Sequence, residues 1–411
     1  MATAQVRKVR DEEFDAWSDA ISVGFHSPQE RGGASVRRQW VEMDRCWGAF
    51  ADGDPVGTFV GLSLELTVPG GAAVPVAGIS GVTVSAAHRR QGLLSRMMAG
   101  ELAGSKARGE SMAVLIAAEW PIYGRFGFGP ACESAGCVLD ARSVRFVRDL
   151  PGTVDLVDRA TARALAPAAY DEFRRRNPGN INRGGVPWDM QLGVLRKEGE
   201  PEPKDELYAL CRDESGTVVG FVRYKFGPEH WTNQRPDMKI EVNDLFGTEP
   251  VYEARLWKYL ADHDWVSEVY TADGVWWADP LWRDLLVDRR MAAMHDAWEG
   301  MWLRILDPAA ALSARTYATT GRIVLRITDK DGYAEGTFAL EAGHGGATCA
   351  ASSESPDVTL SADVLGSIYL GGFAADRYSQ VGRIEEHTAG AADLLNTLFR
   401  GTRAPVNITM F

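Results

Sequence analysis

The stretch Ile79-Ser80-Gly81-Val82-Thr83-Val84-Ser85-Ala86-Ala87-His88-Arg89-Arg90-Gln91-Gly92-Leu93-Leu94-Ser95-Arg96-Met97-Met98 limits what this chain can fold into more than any other. It reads as a buried apolar strand, a short basic turn with one glycine, and an amphipathic helix beginning near Gly92. Such a turn gathers backbone N–H groups and the positive end of a helix dipole around one point. Arg89 and Arg90 add full positive charge there. The result suits a phosphate, and in particular a diphosphate that lies close to bare backbone.

The rest of the chain bounds the setting of that turn. At 411 residues, length predicts two or three domains. No apolar run reaches the roughly 20 residues of a membrane helix, so no membrane partner is expected. The N-terminus lacks the apolar core of a signal peptide, which makes the cytoplasm the expected location. A formal net charge of -12 argues against nucleic acid as a partner and favours a cationic one. The cysteines at 46, 132, 137, 211 and 349 form no C-x-x-C pair and read as reduced thiols. The histidines show no metal-site spacing, so no metal is expected, and His26 and His88 read first as structural. Asn407-Ile408-Thr409 matches a glycosylation sequon by accident.

Read in order, the chain begins with a short strand at 5–10 and a helix from Glu12 to Phe25, apolar at Phe14, Trp17, Ile21 and Phe25. A second helical stretch covers 35–43. An antiparallel meander follows, with strands at 46–51, 56–68 and 73–84 around turns at Asp52-Gly53 and Pro69-Gly70-Gly71. After the basic turn and its helix, the apolar strand 112–118 ends at Glu119-Trp120-Pro121. A short helix carries Tyr123, and a strand spans 132–140. The glycines at 124, 127 and 129 lack the spacing of a dinucleotide loop. Leu150-Pro151-Gly152-Thr153 reads as a linker.

The middle of the chain partly repeats this order, with helices at 160–176 and 251–262 and strands at 206–212, 217–226, 238–246 and 268–272. In place of the basic turn it has Gly247-Thr248-Glu249-Pro250, an acidic turn that repels a diphosphate. Trp276, Trp277 and Trp282 read as core and interface. From Asp307 paired strands precede helices, around Leu365-Gly366-Ser367-Ile368-Tyr369-Leu370-Gly371-Gly372.

Arg89-Arg90-Gln91-Gly92-Leu93-Leu94 resembles the acyl-CoA motif of the GNAT acetyltransferases, Q/R-x-x-G-x-G/A, with Leu94 departing at the last position. Ile122-Tyr123-Gly124-Arg125-Phe126-Gly127-Phe128-Gly129 resembles the tyrosine segment of the same family, and the end of the chain resembles a sterol carrier protein-like module. Together these resemble the layout of the enhanced intracellular survival (Eis) acetyltransferases. The implied fold is α/β and α+β: a catalytic GNAT domain at 1–150, a second GNAT-like domain without the cofactor turn at 151–305, and a sterol carrier protein-like domain at 306–411. The last reads as a scaffold.

The resemblance implies transfer of an acetyl group from acetyl-CoA to a primary amine, with Tyr123 as general acid and the terminal carboxylate of Phe411 as base. Backbone at Val82, Thr83 and Val84 would pair with the pantetheine. Arg89, Arg90, Gln91, Gly92, Leu93, Leu94 and Ser95 would cradle the diphosphate, and Ala118 and Glu119 would flank the thioester. Phe25, His26, Trp40, Ser80 and Met410 are the candidate walls for the amine. Aminoglycoside-acetylating relatives carry an acidic residue where this chain has Met410, so aminoglycosides, polyamines and smaller or more apolar amines all remain candidates. The resemblance also implies a homo-oligomer, a hexamer. The alternative is a non-catalytic acyl-CoA- or lipid-binding protein.

Overall fold

The computed structural model describes residues 4–272, 276, 278–401 and 403–411, so Trp277 lies outside the described residues. The first part of the chain runs β1 (Gln5–Lys8), α1 (Phe14–Gly24), α2 (Ala34–Arg37), β2 (Cys46–Ala51), β3 (Asp54–Thr67), β4 (Ala73–Val84), α3 (Leu93–Ala107), β5 (Met112–Leu115), α4 (Trp120–Tyr123) and β6 (Gly129–Asp140). Asp52 and Gly53 both adopt positive φ, the two-residue connection whose twist matches an antiparallel hairpin. Phe14, Trp17 and Ile21 seat α1 on the sheet, and the Trp17 indole N–H donates to the Trp47 carbonyl at 2.9 Å. The second helical stretch is shorter than its sequence pattern suggests: α2 stops at Arg37.

A buried ion network fixes α3. Arg45 is fully buried and donates to Glu101 at 2.9 Å and to Glu110 at 2.6 Å, while the Trp47 indole donates to Glu101 at 2.8 Å. Glu101 lies on the buried face of α3 beside Met97, Met98 and Leu102. Removing either charge strands the other in the core, so the helix has one seat on β2 and β3.

The second part adds β7 (Thr153–Val157), α5 (Arg159–Arg176), α6 (Gly185–Gln191), β8 (Glu206–Arg212), β9 (Val218–Phe226), a small ribbon of β10 (Trp231–Thr232) and β11 (Arg235–Pro236), β12 (Met238–Gly247), α7 (Pro250–Ala261), β13 (Val266–Thr271) and β14 (Ala292–Ile305). Trp257 and Trp282 stack at 4.9 Å inside its core, and Trp276 is buried beside them.

Both parts build one 12-stranded sheet, ordered β1-β2-β3-β4-β5-β14-β6-β13-β12-β9-β8-β7. Strand β14 comes from the second part yet inserts between β5 and β6, pairing Trp302 with Leu115 on one side and Ala292 with Leu139 on the other. Strand β6 pairs in turn with β13. Two elements differ from the sequence reading here. The segment after Gly152 is an edge strand, β7, and 292–305 is a long strand that no local pattern announced.

The third part comprises α8 (Pro308–Ser313), β15 (Gly321–Thr328), β16 (Gly336–Gly343), β17 (Gly346–Ala351), β18 (Val358–Ser361), α9 (Ala362–Tyr369), α10 (Ala375–Gln380), β19 (Ile384–Glu386) and α11 (Ala391–Phe399), around a five-stranded sheet ordered β17-β16-β15-β18-β19. Helix α9 packs on β6 and β14. A Cβ on Gly366 would come within 2.2 Å of the Leu303 carbonyl, so only glycine permits the approach. One core runs from Leu66, Val76 and Met301 into Leu325, Leu365 and Ile368. Among the described residues no helix is long and apolar enough to cross a membrane.

The chain end does not fray. Val406 and Ile408 are buried against Tyr170, Phe173 and Trp188 of the second part. Arg183, paired with Asp244 at 2.5 Å, donates to the Ile408 carbonyl at 2.9 Å and to the Thr409 hydroxyl at 2.7 Å. Tyr170 gives its own proton to the Ile181 carbonyl and lies 2.8 Å from the Thr409 hydroxyl, so that hydroxyl donates to Tyr170. The result is a directed chain of hydrogen bonds inside the protein. Asn407 is fully buried and exchanges hydrogen bonds with Thr409, which removes it as a glycosylation acceptor. Replacing Arg183 by Met leaves Asp244 as an unpaired buried charge, and urea denaturation is expected to show a loss of about 3–5 kcal/mol. The Arg183→Met, Asp244→Leu double variant should recover part of that loss while the tail stays open to carboxypeptidase.

Candidate active site

Strands β4 and β5 run parallel only from Ala77, Gly78 and Ile79 against Ala113, Val114 and Leu115. Beyond Ile79 and Leu115 they part. The cause lies on the other side of β4, where Val60 faces Ser80 and Thr58 faces Thr83, so β4 carries one residue more than β3. That bulge is built around Gly81 at φ +58, and the Thr58 hydroxyl bonds the Gly81 carbonyl at 2.7 Å. The apolar strand predicted over 112–118 therefore stops at Leu115, and the edge of β4 at Val82–Val84 has no strand beside it.

The basic turn closes one end of this gap. Arg90 and Gly92 both adopt positive φ, and α3 starts at Leu93 with no side-chain cap. The N–H groups of its first turn have no partner within the helix and so remain free for an anion. Arg89 and Arg90 are exposed at the turn. Across the gap, Pro121 near the start of α4 sets the short helix that holds Tyr123. The phenol is nearly buried, packed edge-on against Phe128 at 6.3 Å. Burial first, then the charge of Glu119, pushes its pKa up to about 12.

These residues enclose a cavity of about 690 Å3. Its wall brings together Val82, Thr83, Val84, Arg89, Arg90, Gly92, Leu93, Leu94, Ser95, Ala118, Glu119 and Tyr123, with Phe25 and His26 at the end of α1. Gln91 is not in the wall. It sits between two left-handed residues, Arg90 and Gly92, and its side chain is exposed. His88 and Arg125 also line the cavity, and the His88 Nδ1 is buried without a partner among the described residues. Sequence reasoning set His88 aside as structural; its place inside the basic turn was the available signal. A further groove of about 640 Å3 shares Thr83, Val84 and Arg89 and adds Asp19 and Asp54.

Phe411 lines a second cavity, of about 480 Å3, with Trp40, Leu62, Leu64, Met190 and Met410. Its ring is half-buried against the cluster containing Phe14 and Trp17. The two cavities share no lining residue: Tyr123 lines the first and Phe411 the second. They are neighbours along the sheet: Leu62 in the second wall pairs with Gly78, and Val82 in the first wall stands four residues farther along β4, roughly 13 Å. Ser80 lies between them, half-buried, and lines neither. Glu42 is the acidic side chain of the second cavity.

The matching turn of the second part holds no such cradle. Glu249 there is ion-paired with Arg176 at 2.9 Å, and Pro250 begins α7. Among the described residues no cluster of histidine, cysteine and carboxylate side chains could hold a metal ion.

Comparison with known proteins places this geometry. The acetyltransferase (GNAT) domain matches residues 5–131 and again 179–305, and the sterol carrier protein domain matches 308–407. An N-acetyltransferase of Streptomyces avermitilis is 38% identical over 99% of this chain and 98% of its own length. The N-acetyltransferase Eis of Mycobacterium tuberculosis is 34% identical over 82% of this chain and 81% of its own. The crystal structure of Eis1 from Mycobacterium abscessus superposes with a TM-score of 0.86 at 26% identity, covering 99% of this chain and 100% of that one. A GCN5-related N-acetyltransferase from Anabaena variabilis shares the fold over 99% of this chain with a TM-score of 0.83. Two GNAT domains joined in one sheet, followed by a sterol carrier protein domain, make this chain a member of the Eis-like GNAT N-acetyltransferases.

Proposed function

We propose that the protein transfers an acetyl group from acetyl-CoA to a primary amine, with Tyr123 as general acid and the α-carboxylate of Phe411 as base. The observation that carries the reading is the parting of β4 from β5 beside a buried phenol, with an arginine-bearing turn at one end. GNAT enzymes use acyl-CoA, and each part of that molecule has a counterpart in the wall. The free edge at Val82 and Val84 suits the pantetheine amides, and the first turn of α3 with Arg89 and Arg90 suits the diphosphate. Acetyl as the acyl group, and the two catalytic roles, rest on the family resemblance.

The chemistry requires two proton movements. An alkylammonium, with a pKa of about 10.4, must lose a proton before its nitrogen attacks the thioester carbonyl. The terminal carboxylate, ionised above a pKa of about 3.5, accepts that proton directly or through water as the amine reaches from the second cavity toward the first, and it attracts the incoming cation. As the C–N bond forms and the C–S bond breaks, the leaving thiolate takes the phenolic proton of Tyr123. A phenol held up to about 12 stays protonated throughout the physiological range.

The second cavity supports a view of the acceptor. Trp40, Leu62, Leu64, Met410 and Phe411 make it mostly apolar, and Glu42 with the chain end supplies the negative charge. An amine with one or two cationic groups on an apolar body fits that lining better than an extended polycation, whose further charges would be desolvated without partners.

Three outcomes are expected. Tyr123→Phe should lower kcat by about 10²–10⁴ while acetyl-CoA binding, followed by calorimetry, is unchanged. Extending the chain past Phe411 by a short Gly-Ser segment moves the terminal charge away and should reduce kcat by a similar factor; equal activity in the extended protein would remove Phe411 from the mechanism. Because the raised phenol pKa keeps the acid form present, kcat/KM should climb with pH as the amine deprotonates and show no falling limb below about pH 10. Absence of CoA release from the folded protein with every amine in a panel of apolar amines, polyamines and aminoglycosides would favour a non-catalytic acyl-CoA-binding role instead.

A further inference from the structure

Where the three parts of the chain meet, a cavity of about 580 Å3 opens between Pro69–Gly71, the end of α5 and the third part. Five arginines line it, at 175, 176, 315, 400 and 403, together with His344. In a chain of net charge -12 this is a local reversal of sign.

The charges there are unevenly matched. Four other arginines are also buried among the described residues, and each bonds a carboxylate: Arg45 to Glu110, Arg174 to Glu65, Arg183 to Asp244 and Arg304 to Asp329. Arg315, only 1% exposed, has no carboxylate in reach among the described residues. Its N–H groups go to the carbonyls of Thr316, Tyr369 and Phe399, and its plane lies near the rings of Tyr317, Tyr369 and Phe399. Carbonyls and rings satisfy donors but leave the full charge in place. Arg175 and Arg400 are exposed and likewise have no carboxylate partner among the described residues. Arg176 is already paired with Glu172 and Glu249, and Arg403 bonds Asn177 and feels the charge of Glu253.

We propose that this cavity binds a small anion carrying a diphosphate, held by Arg175 and Arg400 with Arg315 supplying charge from the wall. Guanidinium forks match phosphate oxygens two at a time, and the volume lies within the range of small-molecule sites. Because its walls come from all three parts, occupancy would clamp their junction. The ligand is either inorganic or the diphosphate of a nucleotide.

The test uses the full chain with saturating coenzyme A, so that the turn at Arg89 and Arg90 is filled. Inorganic pyrophosphate and ADP are titrated separately by calorimetry and thermal denaturation. Binding with a rise in Tm is expected, and Arg175→Ser, Arg400→Ser should weaken it about tenfold or more while leaving acetyl transfer intact. Binding of pyrophosphate alone assigns an inorganic ligand, whereas binding of ADP as well assigns a nucleotide. No binding of either, binding unchanged in that double variant, or binding abolished instead by Arg89→Ala, Arg90→Ala would overturn the proposal.

Discussion

The separation of β4 from β5 after Ile79 is the constraint on which the active region depends. A parallel pair that continued to Val84 would satisfy its own backbone and leave no free edge, no gap and no reason for a phenol to face one. The extra residue in β4 at Gly81 bends the strand while β3 holds its other side through Thr58. Helix α3 then needs a fixed seat if its N-terminus is to close the gap, and the buried Arg45–Glu101–Glu110 network provides it. Such a network adds little net stability compared with an apolar core, but it penalises any displaced position of the helix.

The two GNAT domains are not two bodies side by side. Each contributes strands to the middle of a shared sheet, with β14 lying between β5 and β6. The sterol carrier protein domain is joined as closely, since α9 rests on β6 and β14 and its side chains continue the core of the first domain. The last residues then cross back over the second domain and finish beside α1 and β3 of the first. A segment far from the basic turn in sequence thus reaches its neighbourhood through packing with every domain.

The local features were legible because their causes are local. The turn at 88–95, the tyrosine helix and the hairpin at Asp52-Gly53 each follow from residue types at fixed spacing. The strand at 292–305 was not legible, because its partners are more than 150 residues earlier and its register shifts three times against β6. The early end of β5 was hidden for a related reason: Ile116 and Ala117 are as apolar as the residues before them, and only the bulge across β4 decides where pairing stops. Of the cradle residues, Gln91 matched a motif position but sits outside the wall. His88 and Arg125 line the wall without belonging to the expected set, since a motif records spacing and not the direction in which a side chain faces.

The inserted strand also sets an order of events during synthesis. When β6 has left the ribosome, β5 and β6 each present an unpaired edge that only β14 can join. At about 5–20 residues per second, the 165 residues from Asp140 to Ile305 take roughly 8–33 seconds to appear. Through that interval the edges of β5 and β6 that await β14 stay open, the kind of surface that chaperones cover and that neighbouring nascent chains can pair with.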